Sequence, residues 1–245
     1  MLGPTLLCVA HPGHELRVYA WLAGARPAVA VVTDGSGRSG RSRIPATQRT
    51  LDETACTPGP FLGALTDANA YRAILARDAG PFLALADQLA RFVRAHGVRS
   101  IVGDAAEGFN PVHDVCRLVI NAACATVEVG NYEFPLTGRP DAVSNPVVDL
   151  RLDDDTFARK LAAARREMDL GVDVDEAVHA WSADVFRVER IRAAGAGGPT
   201  DGLPDEPPLY ERYGEERVRS GKYPQVLRRR EHVLPIAEAL WRSAR

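Results

Sequence analysis

At 245 residues with a formal net charge of −2, the chain has room for one α/β domain of ordinary size and a buried core, and it lacks the basic excess of a nucleic-acid binder. Its balance of 46% apolar to 25% charged residues is that of a soluble globular protein, which sets aside disorder along the whole length. No window holds about 18 uninterrupted apolar residues, so no membrane-spanning helix is expected.

The first apolar run, Leu6-Leu7-Cys8-Val9-Ala10, has no basic region ahead of it and soon meets His11 and Glu15. That pattern is not a signal peptide, and cytoplasm is the default location. Cys8, Cys56, Cys116 and Cys124 lack the CxxC spacing of a zinc knuckle or redox pair, and reduced, buried thiols are expected.

In chain order, residues 5–10 read as a buried strand and 15–23 as a helix, with Leu16, Tyr19, Ala20 and Ala23 at helical spacing. Residues 27–33 read as a second strand, closed by Asp34-Gly35-Ser36-Gly37 and a loop rich in glycine, serine and arginine. The connection suits a βαβ unit with parallel strands. A helix is expected from Thr47 to Glu53, and 57–69 reads as irregular because Pro58, Gly59 and Pro60 interrupt it. Phe82, Leu83, Leu85, Leu89, Phe92 and Val93 make 81–95 an amphipathic helix with Gly97 as its stop. Strand character resumes at 98–102, a polar loop follows to Pro111, and 112–127 reads as a helix. Further strands are expected at 126–134 and 147–152, a helix at 156–169 behind three aspartates, and a terminal helix at 235–242 behind Pro235. A Gly-rich connection, 195–202, precedes a segment with Tyr210, Tyr213 and Tyr223 among charges, which reads as a surface flap with a sugar platform or subunit contact as the functional alternative.

His11 and His14 stand three residues apart directly behind the first strand. The carboxyl edge of a sheet is where open α/β folds place ligands, so the pair reads as part of a metal site, with two polar residues at a helix start as the bland alternative. The run Ala10-His11-Pro12-Gly13-His14-Glu15 resembles the AHPDDE signature of the PIG-L or LmbE-like de-N-acetylase family. Asn110-Pro111-Val112-His113 stands where that family has a motif resembling HPDH, and Val32-Thr33-Asp34-Gly35 resembles its strand-two ending. The resemblance covers about residues 5 to 190 in order and spacing.

Together with the strand and helix alternation, the resemblance implies an α/β fold: a Rossmann-like, mostly parallel sheet with helices on both faces and a C-terminal extension. Residues 1–194 would form the α/β domain, with 195–245 packed on it. The resemblance also implies a divalent ion, usually zinc, on His11, His14 and His113. A histidine at position 14 in place of an acid remains a good zinc donor, and it leaves the metal more positive, so that bound water is more acidic. The family's proton-accepting acid is Gly13 here, and two further second-motif positions are Asn110 and Val112. General base assistance is worth roughly 10²- to 10⁴-fold, so another group is needed for that proton. Asp34 ranks first, followed by Glu15, Asp104 and Asp114, while Asn110 and Asp114 also read as supporting residues or caps of the following helix.

The expected activity is metal-dependent hydrolysis of a C–N amide bond, most plausibly de-N-acylation of an amino sugar or glycosylated metabolite. The partner is then a small molecule, with no nucleic acid and no membrane span, and an oligomer is open. The competing expectation is a non-hydrolytic family member that binds a metal or ligand, which the missing carboxylate at Gly13 favours. A nucleotide-sugar transferase using Gly35, Gly37 and Gly40 lacks the dinucleotide or P-loop spacing. Arg38, Arg41 and Arg43 form either a solvated run or a contact for a substrate phosphate or carboxylate. His96, His179 and His232 have no partner spacing and read as structural.

Overall fold

The protein was analysed as a computed structural model that describes residues 2–37, 39–166, 182–195, 198, 200 and 203–245. Strand β1 (Thr5–Val9) is followed by a tight helical turn (His14–Val18), α1 (Tyr19–Ala25), β2 (Ala28–Thr33), α2 (Ile44–Thr54), β3 (Thr57–Leu65) and α3 (Asp67–Leu75). Next come α4 (Gly80–His96), β4 (Ser100–Asp104), α5 (Pro111–Val127), β5 (Gly130–Phe134), β6 (Val148–Arg151), α6 (Asp154–Arg166) and β7 (Val188–Ala193). The C-terminal part holds α7 (Leu209–Arg219) and α8 (Leu234–Ser243), the latter entered through a π-helical turn at Arg229–Val233.

The strands form one sheet in the order β3-β2-β1-β4-β5-β7-β6. The first five are parallel, and β7 runs antiparallel to both β5 and β6. The α/β, mostly parallel architecture expected from the alternation is therefore present. Because β1 is apolar on both sides of the pleat, it serves two cores at once. Leu6, Cys8 and Ala10 pack under α4, α5 and α8, while Leu7 and Val9 pack under α1 and α2 with Trp21, Leu22 and Leu51. Helix α8 adds Ile236, Ala237 and Leu240 to the first of these cores.

Chain order places the crevice. From β1 the sheet grows in one direction to β2 and β3, and in the other to β4 and β5. The connections therefore leave the carboxyl ends of β1 and β4 toward opposite faces, opening the gap where doubly wound sheets hold ligands.

Three segments differ from expectation. Residues 57–65 are not irregular but an edge strand, because Pro58 and Pro60 are tolerated where no outer strand needs their missing N–H, at the cost of register shifts against β2. Helix α3 was not expected; Thr66 caps it by accepting the Asn69 N–H at 3.2 Å, and its small residues Ala70 and Ala73 lie buried. Strand β7, where Glu189, Arg190 and Arg192 surround Ile191 and no regular alternation marks it, was also missed. The helix expected over 15–23 begins as the tighter turn and becomes α-helical only at Tyr19. The last residues of the helix expected over 156–169, His179 and most of the connection at 195–202 lie outside the described residues.

Gly103, in β4, is the point of closest approach. A Cβ there would meet the Cys8 carbonyl oxygen at 2.3 Å and Ile120 Cδ1 at 2.4 Å. Gly103→Ala is therefore expected to cost about 1–3 kcal/mol by overpacking between β1 and α5. Thermal unfolding checks this, with a midpoint lowered by roughly 2–12 °C; an unchanged midpoint would mean the strands separate freely.

Candidate metal centre

The turn after β1 and the start of α5 bring three imidazoles together. Ring centres lie 5.2 Å apart for His11 and His14, 4.9 Å for His11 and His113, and 4.6 Å for His14 and His113. All three sequence-derived ligand positions thus meet at the carboxyl edge of β1. His11 and His113 are buried and His14 is half-buried.

Each of two rings is held from behind. His11 Nδ1 lies 2.6 Å from Thr33 Oγ1 and 3.1 Å from Asp67 Oδ1. A bare Nδ1 lone pair facing a carboxylate oxygen would be repelled, so Nδ1 carries a proton and Nε2 is the atom turned away from Asp67. That Nε2 is buried without a hydrogen-bond partner among the described residues. His14 Nδ1 lies 2.8 Å from Asp104 Oδ2, which also accepts the Ala10 N–H at 2.8 Å. A carboxylate behind a histidine is the arrangement that orients metal-ligating imidazoles.

Burial first, then the neighbouring histidines, holds His14 and His113 well below the ordinary imidazole range; the charge of Arg43 acts on His14 in the same sense. Both rings are neutral near pH 7, the form that ligates metal. Burial pushes Asp104 up to about 7, against the opposing Ala10 N–H bond. Burial also acts to raise Asp67, yet hydrogen bonds from His11, Thr33 and the Gly37 N–H outweigh it and hold that carboxyl well below its usual range.

The donor chemistry and the ring spacing fit a divalent ion. Zinc about 2.0–2.1 Å from a ring nitrogen sits about 3.2 Å from the ring centre, so tetrahedral angles put two such centres about 5 Å apart. The donor atoms themselves are not brought onto a common point: among the described residues, no group of three His, Cys, Asp or Glu side chains is arranged to hold a metal ion.

The other sequence candidates sit around this cluster in different roles. Glu15 is buried, accepting the Gly13 N–H at 2.7 Å and the Thr47 hydroxyl at 2.8 Å. Asp34 Oδ1 accepts the Ser36 N–H at 3.0 Å, the Ser36 hydroxyl at 2.7 Å and the Asp67 N–H at 3.3 Å. Asn110 caps α5 by accepting the Val112 N–H at 2.8 Å, while Val112 itself is core. Asp114 accepts the Gly108 N–H at 3.1 Å beneath the loop, where burial raises it to about 6. The same loop exposes Phe109, whose ring stacks toward His113 at 6.3 Å. Leu209 N–H, at the start of α7, donates to Gly108 O at 2.7 Å, so the C-terminal part pins this loop.

Asp67 is the site residue that sequence reasoning missed, since its segment read as irregular. The signal was present in Thr66-Asp67 directly behind Ala64-Leu65, an N-cap and an acid opening a helix at a strand's carboxyl end. Gly13 holds φ 98° and ψ −20° at the start of the His14–Val18 turn, a conformation that side chains strain. Gly13→Ala and Gly13→Asp should each lose about 1–2 kcal/mol in urea unfolding; unchanged stability would show that the turn re-forms around a Cβ.

No family model matches the chain, and no curated protein does. Among solved structures, it is similar to the A40926 pseudoaglycone deacetylase Dbv21, with 16% identity over 80% of this chain and 100% of that one and a TM-score of 0.49. It is also similar to a triple mutant of the deacetylase Orf2 of the teicoplanin biosynthetic pathway, with 15% identity over 79% of this chain and 100% of that one and a TM-score of 0.46. The zinc-inhibited form of teicoplanin deacetylase Orf2 gives 14% identity over 66% of this chain and 83% of that one, with a TM-score of 0.42. At these values no residue role and no substrate passes from those proteins to this one, and the fold stands on the sheet order itself.

Proposed function

We propose that the protein is a metal-dependent hydrolase of a C–N amide bond that removes an N-acyl group from an amino sugar or a glycosylated metabolite. The observation that carries this reading is the cluster of three imidazoles at the β1–β4 crevice, with His11 Nε2 buried and, among the described residues, without a hydrogen-bond partner. His11, His14 and His113 would hold the ion, and the all-nitrogen set suits zinc. When bound, such an ion polarises an amide carbonyl and lowers the pKa of water.

The chain's own residues supply the rest. Asp67 and Thr33 fix the His11 tautomer, and Asp104 orients His14. Phe109, 49% exposed beside His113, offers an apolar wall to the group next to the scissile bond. The proton that position 13 cannot accept is assigned to Asp34. Glu15 has both oxygens engaged, and Asp114 lies under the Gly108 loop, whereas the hydrogen bonds that Asp34 accepts from the described residues all fall on Oδ1.

Purified protein reconstituted with zinc is expected to retain about one ion per chain, His11→Ala to lose it, and Asp67→Asn to weaken it by about 10- to 100-fold. Asp34→Asn should keep the metal and lower acetate release from an N-acetylglucosaminyl substrate by roughly 10²- to 10⁴-fold. Elemental analysis and an acetate assay read these outcomes, and wild-type chain that stays empty after reconstitution would sink the proposal.

Gly13 favours a second reading, a non-hydrolytic protein that uses the same cluster to bind a ligand. The discriminating experiment compares Gly13→Asp with Gly13→Ala, which shares the backbone strain. Deacetylation appearing only in Gly13→Asp, with none in the wild type, selects the binding protein; activity already present in the wild type selects the hydrolase.

A further inference from the structure

We propose that Arg43 is the residue that reads an anionic group, carboxylate or phosphate, on the molecule bound at the histidine cluster. The inference rests on the proposed function for the position of the reacting bond, but its test does not require hydrolysis.

The guanidinium is built into the site. The Arg43 backbone N–H donates to Asp34 O at 2.7 Å, and its Nε–H donates to Gly35 O at 2.8 Å. Gly35 has φ +65°, and a Cβ there would lie 2.8 Å from Arg43 Nε, 3.1 Å from Nη2 and 2.8 Å from Pro12 Cδ. Only a bare glycine lets the side chain cross the loop this closely, against the proline between His11 and His14.

Among the described residues, the guanidinium has no acceptor at its outer end: its side-chain bond there uses Nε, and no carboxylate pairs with it. Several other arginines are spent. Arg17 donates to the carbonyls of Pro135 and Gly138, Arg117 to Asn121, Asn131 and the carbonyls of Asp104 and Tyr132, and Arg190 and Arg192 to Asp149 and Glu133. The nearby carboxylates Asp67 and Asp104 are committed to His11 and His14. Anchoring Nε fixes the plane of the fork and leaves two Nη nitrogens side by side, the geometry that grips a carboxylate or phosphate bidentately. A merely solvated arginine has no need of the Gly35 passage.

The test is calorimetric titration of the zinc-reconstituted full chain with three probes: N-acetylglucosamine, its 6-phosphate and N-acetylmuramic acid, which are neutral, phosphate-bearing and carboxylate-bearing. The wild type should bind one or both anionic probes about 10- to 100-fold more tightly than the neutral sugar, the range of a charge-assisted contact. Which of the two gains identifies the anion. Arg43→Gln should abolish the preference, and Arg43→Lys should keep part of it, because the charge stays while the fork is lost; circular dichroism and zinc content establish that both variants fold.

Equal affinity of the wild type for all three probes, failure of all three to bind at millimolar concentration, or an equal weakening of all three by Arg43→Gln would overturn the proposal. An anion preference without acetate release would refute the hydrolase and leave this inference standing. Acetate release without a preference would do the reverse.

Discussion

The carboxylate of Asp104 ties the structure to its site. It closes β4, lies fully buried, and with one oxygen accepts both the Ala10 N–H at the end of β1 and His14 Nδ1. The two strands meet at the point where the sheet changes direction, so a single side chain fixes the mouth of the crevice and aims one of the three imidazoles. Arg117, buried from α5, donates to the Asp104 carbonyl and steadies the strand from below. Removing the acid would leave an unpaired Ala10 N–H and a free His14 ring together, which is why position and function cannot be separated at this residue.

Around that tie, the other acids near the cluster are shared between holding loops and holding rings. Glu15 binds the Gly13 N–H and the Thr47 hydroxyl, joining the histidine turn to α2. Asp67 reaches in three directions: to His11, to the Gly37 N–H at 2.6 Å, and through its own N–H to Asp34. The loop behind β2 is thereby drawn onto the opening of α3, whose Asp67 holds His11. A buried acid with several donors stays ionised, and its charge keeps an Nδ1 proton in place on His11.

The C-terminal part contributes rigidity at the opposite wall. Helix α8 packs into the core shared by α4 and α5, and α7 captures Gly108 through the Leu209 N–H. Gly108, at φ 65°, comes so close to Pro208 that a Cβ would touch it at 3.0 Å. Phe109 and Asp114 owe their places to this docking. A second buried tie lies on the other face, where Glu189 of β7 accepts the Ala20 and Trp21 N–H groups at the start of α1 and pairs with Lys160 at 2.8 Å. The turn carrying His14 therefore ends in a helix whose start is anchored to the far side of the sheet.

The sequence by itself determined the alternation of strand and helix, the continuous apolar β1 that must be covered on both faces, and the places of His11, His14 and His113 behind strand ends, because each of these is a local pattern of period, run and spacing. Only the tertiary structure decided which acids face the histidines. Asp67 is 56 positions from His11 and sat in a segment whose prolines hid an edge strand; the pairing of β3 with β2 brings it there. Glu15, the acid closest in sequence, is taken up by the Gly13 N–H and the Thr47 hydroxyl at the tight turn that Gly13 begins. Adjacency along a chain does not fix direction in space, and the direction of a side chain at a strand's end is set by the sheet partner and the helix packed above it.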